Sequence, residues 1–258
     1  MLYLTITIYV ADLELHGVLI FSTEQRPSLT EEGGAVISTG HFIHNYPLIY
    51  GFANKNVEAY TIISSLHHRQ GLHYGSVEEQ LKRLLEGDES IYVYPAFPLK
   101  VTTRKFFMTA KGTGYAEFRG ALKTVFPRLE HYVTIVPPSR FRTIILAQGI
   151  ELPKQVYIRI GMKRMGLFKV ILSEAEIIKQ INITTWSNIP VNLYDIGLFG
   201  YVVDDLLKVL ETRSKPTSRP TSSVIGYIKT SKLFIIRHKT EEYKIPLPLR
   251  LIKIDRAV

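Results

Sequence analysis

The chain contains no cysteine. That absence removes disulfides, thiolate catalysis and cysteine-type zinc sites together. It suits an intracellular, cytoplasmic protein, and one from a hot environment, where cysteine is avoided. No window holds about 18 uninterrupted apolar residues, so no membrane span is expected. The opening MLYLTITIYVADLE lacks a basic start and alternates, so it does not read as a signal peptide. Walker loop, dinucleotide fingerprint, G-x-S-x-G elbow and paired-carboxylate motif are all missing. No cofactor or metal is called for.

What is present is positive charge, gathered in one place. The net charge is +9 over 258 residues. Residues 1–95 carry 5 Lys/Arg against 11 Asp/Glu, residues 96–170 carry 14 against 3, and residues 171–258 carry 13 against 9. The central block therefore stands at +11 beside an acidic opening third. A segregated block of one sign reads as a footprint for a polyanion, nucleic acid first; an acidic protein partner is the alternative.

The texture is α+β with β dominant. Leu2, Leu4, Ile6, Ile8 and Val10 alternate with polar or aromatic residues, which predicts a half-buried strand. The apolar parity then switches to Leu13 and Leu15, which predicts a bulge near Ala11–Asp12. Residues 24–45 read as a loop insertion rich in turn formers. Pro47 predicts that His44-Asn45-Tyr46 lead into an element beginning there. Residues 57–66 are expected to be helical. SVEEQLKRLLEG is the strongest helix: Ser76 and Glu79 form a capping box, Val77, Leu81, Leu84 and Leu85 one face, and Gly87 a stop. From 91 to 172 strands are expected. One hairpin is predicted around Gly112-Thr113-Gly114, a bent strand or strand pair around Pro137-Pro138, and a second hairpin over 154–174. YVVDDLLKVLE (201–211) reads as an amphipathic helix, 212–223 as a mobile Ser/Thr/Pro-rich loop, and 224–258 as C-terminal strands. No repeat is found, so 1–258 is expected to be a single domain with insertions.

The residues expected to contact nucleic acid follow from the basic block. TTRKFFMTAKGTGYAEFRG interleaves Arg104, Lys105, Lys111 and Arg119 with aromatic rings, with Lys100 just ahead. Cations beside exposed rings can hold a single strand by phosphate neutralisation and base stacking; alternate rings in a strand are otherwise core. Arg140 and Arg142 fall on one side of an extended segment, spaced to follow phosphates or to pair with acidic neighbours. Gly161 and Gly166 bracket Lys163 and Arg164, with Lys169 beyond, and a glycine turn can present such charges or merely leave them solvated. His67, His68 and His73 match no zinc spacing. His44 could act as the base of a metal-independent RNA cleavage, although nothing in the chain requires it.

Taken in order, ADLELHGVLIFSTE (11–24), IHNYPLIYGF (43–52), YVYPAFP (92–98), SRFR (139–142), IRIGMKRMGLFKV (158–170) and PVNLYDIG (190–197) resemble a known family. They are similar to the Cas-five-type subunit of type I-D CRISPR effector complexes, the Csc-one branch of the RAMP proteins. The resemblance implies a modified ferredoxin-like (RRM-like) domain with a β-hairpin thumb and β-rich elaborations; 24–45, 100–119 and 156–172 all qualify as the thumb. It implies a non-catalytic subunit that holds the 5′ handle of the CRISPR RNA, with His44, Asn45 and Tyr46 added to the cations as RNA contacts. Implied partners are the backbone (Cas-seven-type) and large (Cas-ten-type) subunits, with target DNA near the protospacer-adjacent motif as a further candidate. The acidic first third and the apolar 43–52 stretch suit contact with other subunits. The alternatives are a metal-independent RNA-processing endonuclease of the same superfamily and a basic scaffold for an acidic protein.

Overall fold

The computed structural model describes residues 6–20, 28–29, 35–38, 41–52, 75–86, 89–109, 129–161, 164–213 and 222–248. Its fold is mostly antiparallel sheet with few helices. The spine is β6 (Leu129–Gln148), a single strand of 20 residues. One edge of β6 takes β1 (Ile6–Leu15) and, further along, β3 (Ala35–Ser38), the latter in parallel. The other edge takes β4 (Ser90–Val93) and β5 (Phe97–Thr109). Beyond β1 lie β8 (Gly166–Ile181), then β13 (Leu233–His238) and β14 (Glu241–Ile245). β7 (Gln155–Ile160) pairs with the first part of β8, and β2 (Ser28–Leu29) with β3.

The expected bulge at Ala11–Asp12 is not there. β1 pairs without a register shift from Ile6↔Gln148 to Leu15↔Ser139 on one side, and from Ile8↔Ala175 to Leu15↔Phe168 on the other. The parity switch has another cause. From Ile8 to Ala11 both faces of the strand are buried, whereas beyond Asp12 only the face of Leu13 and Leu15 is. The hydrophobic pattern records what covers the sheet, not a kink in it.

The fully covered face carries Leu13, Leu15, Phe141, Phe168 and Ile158, with the Phe141 and Phe168 rings edge-on at 6.1 Å. Helix α1 (Asn45–Phe52) packs on it through Gly51, where a Cβ would lie 3.3 Å from Ile160 and 3.4 Å from Ile158. The helix begins two residues before Pro47, whose missing N–H falls in the first turn, where no helical acceptor exists anyway. His44 caps it: the Tyr46 N–H donates to His44 Nδ1 at 3.1 Å. Ile43, Leu48 and Ile49 are buried, so their side of the 43–52 stretch serves the core, with Tyr46, Tyr50 and Phe52 half-buried against it. Helix α2 (Gly75–Glu86) buries Leu81 and Leu84 as expected. The side chains of its first turns, Ser76 and Glu79 included, lie outside the described residues, as do 57–66.

β5 pairs with 129–142 of β6; the sequence places a hairpin turn just beyond it, at Gly112-Thr113-Gly114. That turn lies outside the described residues. β6 passes through Pro137-Pro138 as one continuous strand, with register shifts against β5 on either side of Lys100. Ser139 repairs the ladder there: its Oγ accepts from Thr102 N–H at 2.9 Å and donates to Val136 O at 2.6 Å. These bonds replace partners that proline cannot supply.

A second sheet contains β9 (Thr185–Trp186), β10 (Val191–Asn192), β11 (Asp205–Arg213) and β12 (Ser222–Thr230). Helix α3 (Leu193–Leu198) follows β10, and the side chain of Asn192 caps it by accepting from Tyr194 N–H. Of the helix expected over 201–211, the part from Asp205 onward is a strand instead. Leu206 and Val209 are only half-buried and Leu207 is 60 % exposed, so no helical stripe is satisfied, whereas β12 offers a ladder from Asp205↔Lys229 to Arg213↔Ser222, broken only by a register shift between Lys208 and Leu210. Pairing overrides propensity here. The expected loop 212–223 overlaps both strand ends, and 214–221 lies outside the described residues. Strands after 224 are present as expected. No helix among the described residues is long and apolar enough to cross a membrane.

Candidate nucleic-acid interface

Five neighbouring strands bring five side chains into one line. Lys100 of β5 lies opposite Arg140 of β6, and Arg140 opposite Glu14 of β1. Glu14 lies opposite Lys169 of β8, and Lys169 opposite Tyr157 of β7. Opposed residues share a face, so the row crosses one side of the sheet, roughly 19 Å at the usual strand spacing. The neighbours Phe141, Phe168 and Ile158 are buried on the other face, and alternation turns the row outward. Lys100, Arg140 and Tyr157 are exposed, and Glu14 and Lys169 half-buried. Arg159, two residues from Tyr157 on the same side, is exposed as well. Among the described residues none of these charges is in an ion pair. Four unneutralised cations around one carboxylate favour a line of phosphates.

The other predicted cations divide. Arg104 and Lys105 are exposed further along β5, on opposite faces because they are adjacent. Lys111, Arg119 and Lys163 lie outside the described residues. Arg142 must be corrected. It shares the side of Arg140, but its Nε donates to Asp12 Oδ1 at 2.6 Å and Nη2 to Asp12 Oδ2 at 3.2 Å. Nη1 reaches Tyr243 Oη at 2.8 Å and pairs with Glu241. These bonds hold the guanidinium protonated and tie the β13–β14 hairpin to the central sheet. Arg142 is neutralised from within the molecule and is no phosphate contact.

Of the glycine turn, Gly161 and Arg164 are described and 162–163 are not. Gly161 has φ +82° and Arg164 φ +55°, and the Arg164 N–H closes the turn on Gly161 O at 3.0 Å. The turn lies on the 16–20 segment: His16 N–H donates to Leu167 O at 2.8 Å, and a Cβ on Gly17 would fall 2.2 Å from Met165 O. Only glycine admits that approach. Arg164 is half-buried in this packing.

His44, Asn45 and Tyr46 lie apart from the cationic row. Asn45 is fully buried, and its Nδ2 donates to Asp195 Oδ2 at 2.6 Å. The Tyr92 hydroxyl donates to the same oxygen at 2.8 Å, and the Tyr46 hydroxyl to Oδ1 at 3.0 Å. Asn192 Nδ2 donates to Asn45 Oδ1 at 3.2 Å. The Tyr92 ring meets Phe199 at 5.1 Å. Burial pushes the Asp195 carboxyl up to about 6 against the pull of the hydrogen bonds from Tyr92, Asn45 and Tyr46. Burial likewise lowers the His44 imidazole to about 4. The network joins α1, β4 and α3. Asn45, fully buried, is therefore corrected from an RNA contact to an internal polar link; Tyr46 and His44 are half-buried, the first bonded to the same carboxylate and the second capping α1.

Sequence reasoning missed Glu14, Tyr157 and Arg159 in the row, and Asp195, Tyr92 and Asn192 in the network. Tyr157 and Arg159 alternate with Val156, Ile158 and Ile160, so periodicity held the signal for their exposure. Asp195 and Asn192 sit in PVNLYDIG, and Tyr92 in YVYPAFP, stretches whose roles appear only once the chain is folded.

Residues 6–212 match the family described as type I-D CRISPR-associated protein Cas5/Csc1. No curated protein matches the chain by sequence. Among solved structures, a crystal structure of a CRISPR protein from Archaeoglobus fulgidus is similar over 94 % of this chain and 100 % of that one, at 12 % identity and a TM-score of 0.39.

Proposed function

From its membership of the type I-D CRISPR-associated Cas5/Csc1 family, to which this chain belongs, we propose that the protein is the subunit of a CRISPR effector complex that grips the guide RNA at its 5′ handle. The observation that carries this is the row Lys100–Arg140–Glu14–Lys169–Tyr157, with Arg159 beside it, turned outward and without an ion pair among the described residues. A sheet buried on one side and cationic on the other is suited to a strand of phosphates laid across it. The partners are the backbone and large subunits of the complex, and its place of work is the cytoplasm.

The core is a modified ferredoxin-like domain in this reading. In support, the adjacent strands run β8-β1-β6-β4, all antiparallel, with α1 and α2 between β1 and β4. The β7–β8 hairpin stands where a second helix would be expected. β5 and the first half of β6 form the long antiparallel pair that serves as the thumb.

The subunit is a holder of RNA, not a nuclease. His44, the one base considered for cleavage, has its Nδ1 occupied by the Tyr46 N–H, and burial keeps its ring from taking a proton until about pH 4. A general base needs a free nitrogen and a pKa near the working pH. Affinity purification of a tagged copy tests the proposal: a large complex with nuclease-sensitive absorbance at 260 nm is expected. A complex free of RNA, built on an acidic protein, would replace this reading with a scaffold. Incubation with repeat RNA in EDTA should leave it uncut; a discrete cut lost on His44→Ala would reverse the non-catalytic assignment.

A further inference from the structure

Tyr157 is 57 % exposed in the middle of β7, although Ile158 and Ile160 on the same strand are 2 % and 5 % exposed. Those two isoleucines fix the register, so the ring cannot turn inward without exposing them. Lys169 lies directly opposite, and Arg159 is the next residue on the same side. Ile171, paired with Gln155 and therefore diagonal to Tyr157, is 41 % exposed. An uncovered ring with an apolar neighbour and two cations is a π surface with phosphate partners beside it. Nucleobases have π faces, but in a duplex these are already stacked; only an unpaired base can offer one. Glu14 separates this corner from Lys100 and Arg140 and repels a phosphate placed above it, so the two cation pairs act as distinct grips.

Building on the RNA reading above, we infer that Tyr157 is the platform on which one unpaired base of a single-stranded polynucleotide stacks, with Arg159 and Lys169 holding the flanking phosphates. The site thereby takes a splayed strand and not a helix. The contact is tolerant of base identity, because stacking uses the ring face and not the hydrogen-bonding edge.

The full chain is titrated with a short repeat-derived RNA carrying 2-aminopurine at one position at a time, alone and annealed to its complement. One position should change fluorescence on binding. That signal should vanish in Tyr157→Ala and survive in Tyr157→Phe, and Tyr157→Ala should bind about 5- to 100-fold more weakly. The same oligonucleotide as DNA identifies the source of the strand; stacking with either supports the platform. Equal affinity for duplex and single strand, or a signal unchanged in Tyr157→Ala, overturns it. If Lys100→Gln/Arg140→Gln/Lys169→Gln loses RNA while Tyr157→Ala does not, the platform falls and the RNA reading stands. If the wild-type chain binds no strand at all, both fall.

Discussion

Replacing Asp195 with asparagine should make the protein's stability more pH-dependent than it is now. Asp195 and His44, at the junction of α1 and α3, titrate in one window with opposite signs. Burial raises the Asp195 carboxyl from 3.8 to about 6. A raised acid favours the protonated folded form, so its contribution is full below the unfolded value and is lost as pH rises through about 6. Burial lowers the His44 imidazole from 6.5 to about 4. A lowered base favours the neutral folded form, so its contribution is full above the unfolded value and is lost as pH falls through about 4. Each shift is roughly two units, or about 3 kcal/mol. In the wild type the two offset one another. Asp195→Asn leaves His44 alone, so stability should rise by up to about 3 kcal/mol between about pH 4 and 7, relative to wild type. His44→Asn keeps a capping acceptor and leaves Asp195 alone, so its stability should fall by a similar amount over that range. Urea unfolding of the three proteins at a series of pH values reads both slopes. Three parallel curves would refute the opposition, and with it the burial of either group.

Other changes have more local consequences. Arg142→Ala should lower stability by about 1–2 kcal/mol by freeing Asp12 and Glu241, whose side chains are exposed enough to hydrate, and by taking a donor from the buried Tyr243 hydroxyl; RNA affinity should not change, and thermal melting beside filter binding checks both. Gly17→Ala forces a Cβ onto Met165 O and should cost at least about 2 kcal/mol. Gly197→Ala, with nothing within 4 Å of the added carbon, is the control for the same melt. Asn45→Ala should destabilise by about 1–3 kcal/mol because it strips a buried carboxylate of a donor, and it should leave salt-dependent RNA binding intact.

Strong periodicity made much of the fold legible. β1, the β7–β8 hairpin and α2 each carry a repeat that only one element satisfies, and Pro47 marks the first turn of α1. β11 failed because Leu206, Val209 and Leu210 also fit helical spacing; only the ladder offered by β12 decides it. The site was legible as a charge block but not as a surface. Lys100, Arg140 and Lys169 come from that block, yet Glu14 enters the row from the acidic third, through strand register alone. Arg142 looked equal to Arg140 until Asp12, 130 residues away, and Glu241, 99 away, closed on it. Asn45 reads as an RNA contact in the sequence because its partner Asp195 lies 150 residues further on. Residue type marks these positions as special, but the partners that fix their roles are set by topology.

The salt dependence of handle-RNA binding tests the cationic row most directly. Single-stranded binding loses about 0.7 of log–log slope for each phosphate contact removed, so Lys100→Gln/Arg140→Gln/Lys169→Gln should flatten the slope by about 2. A slope equal to wild type, with affinity unchanged at low salt, would show that the strand lies elsewhere on the protein.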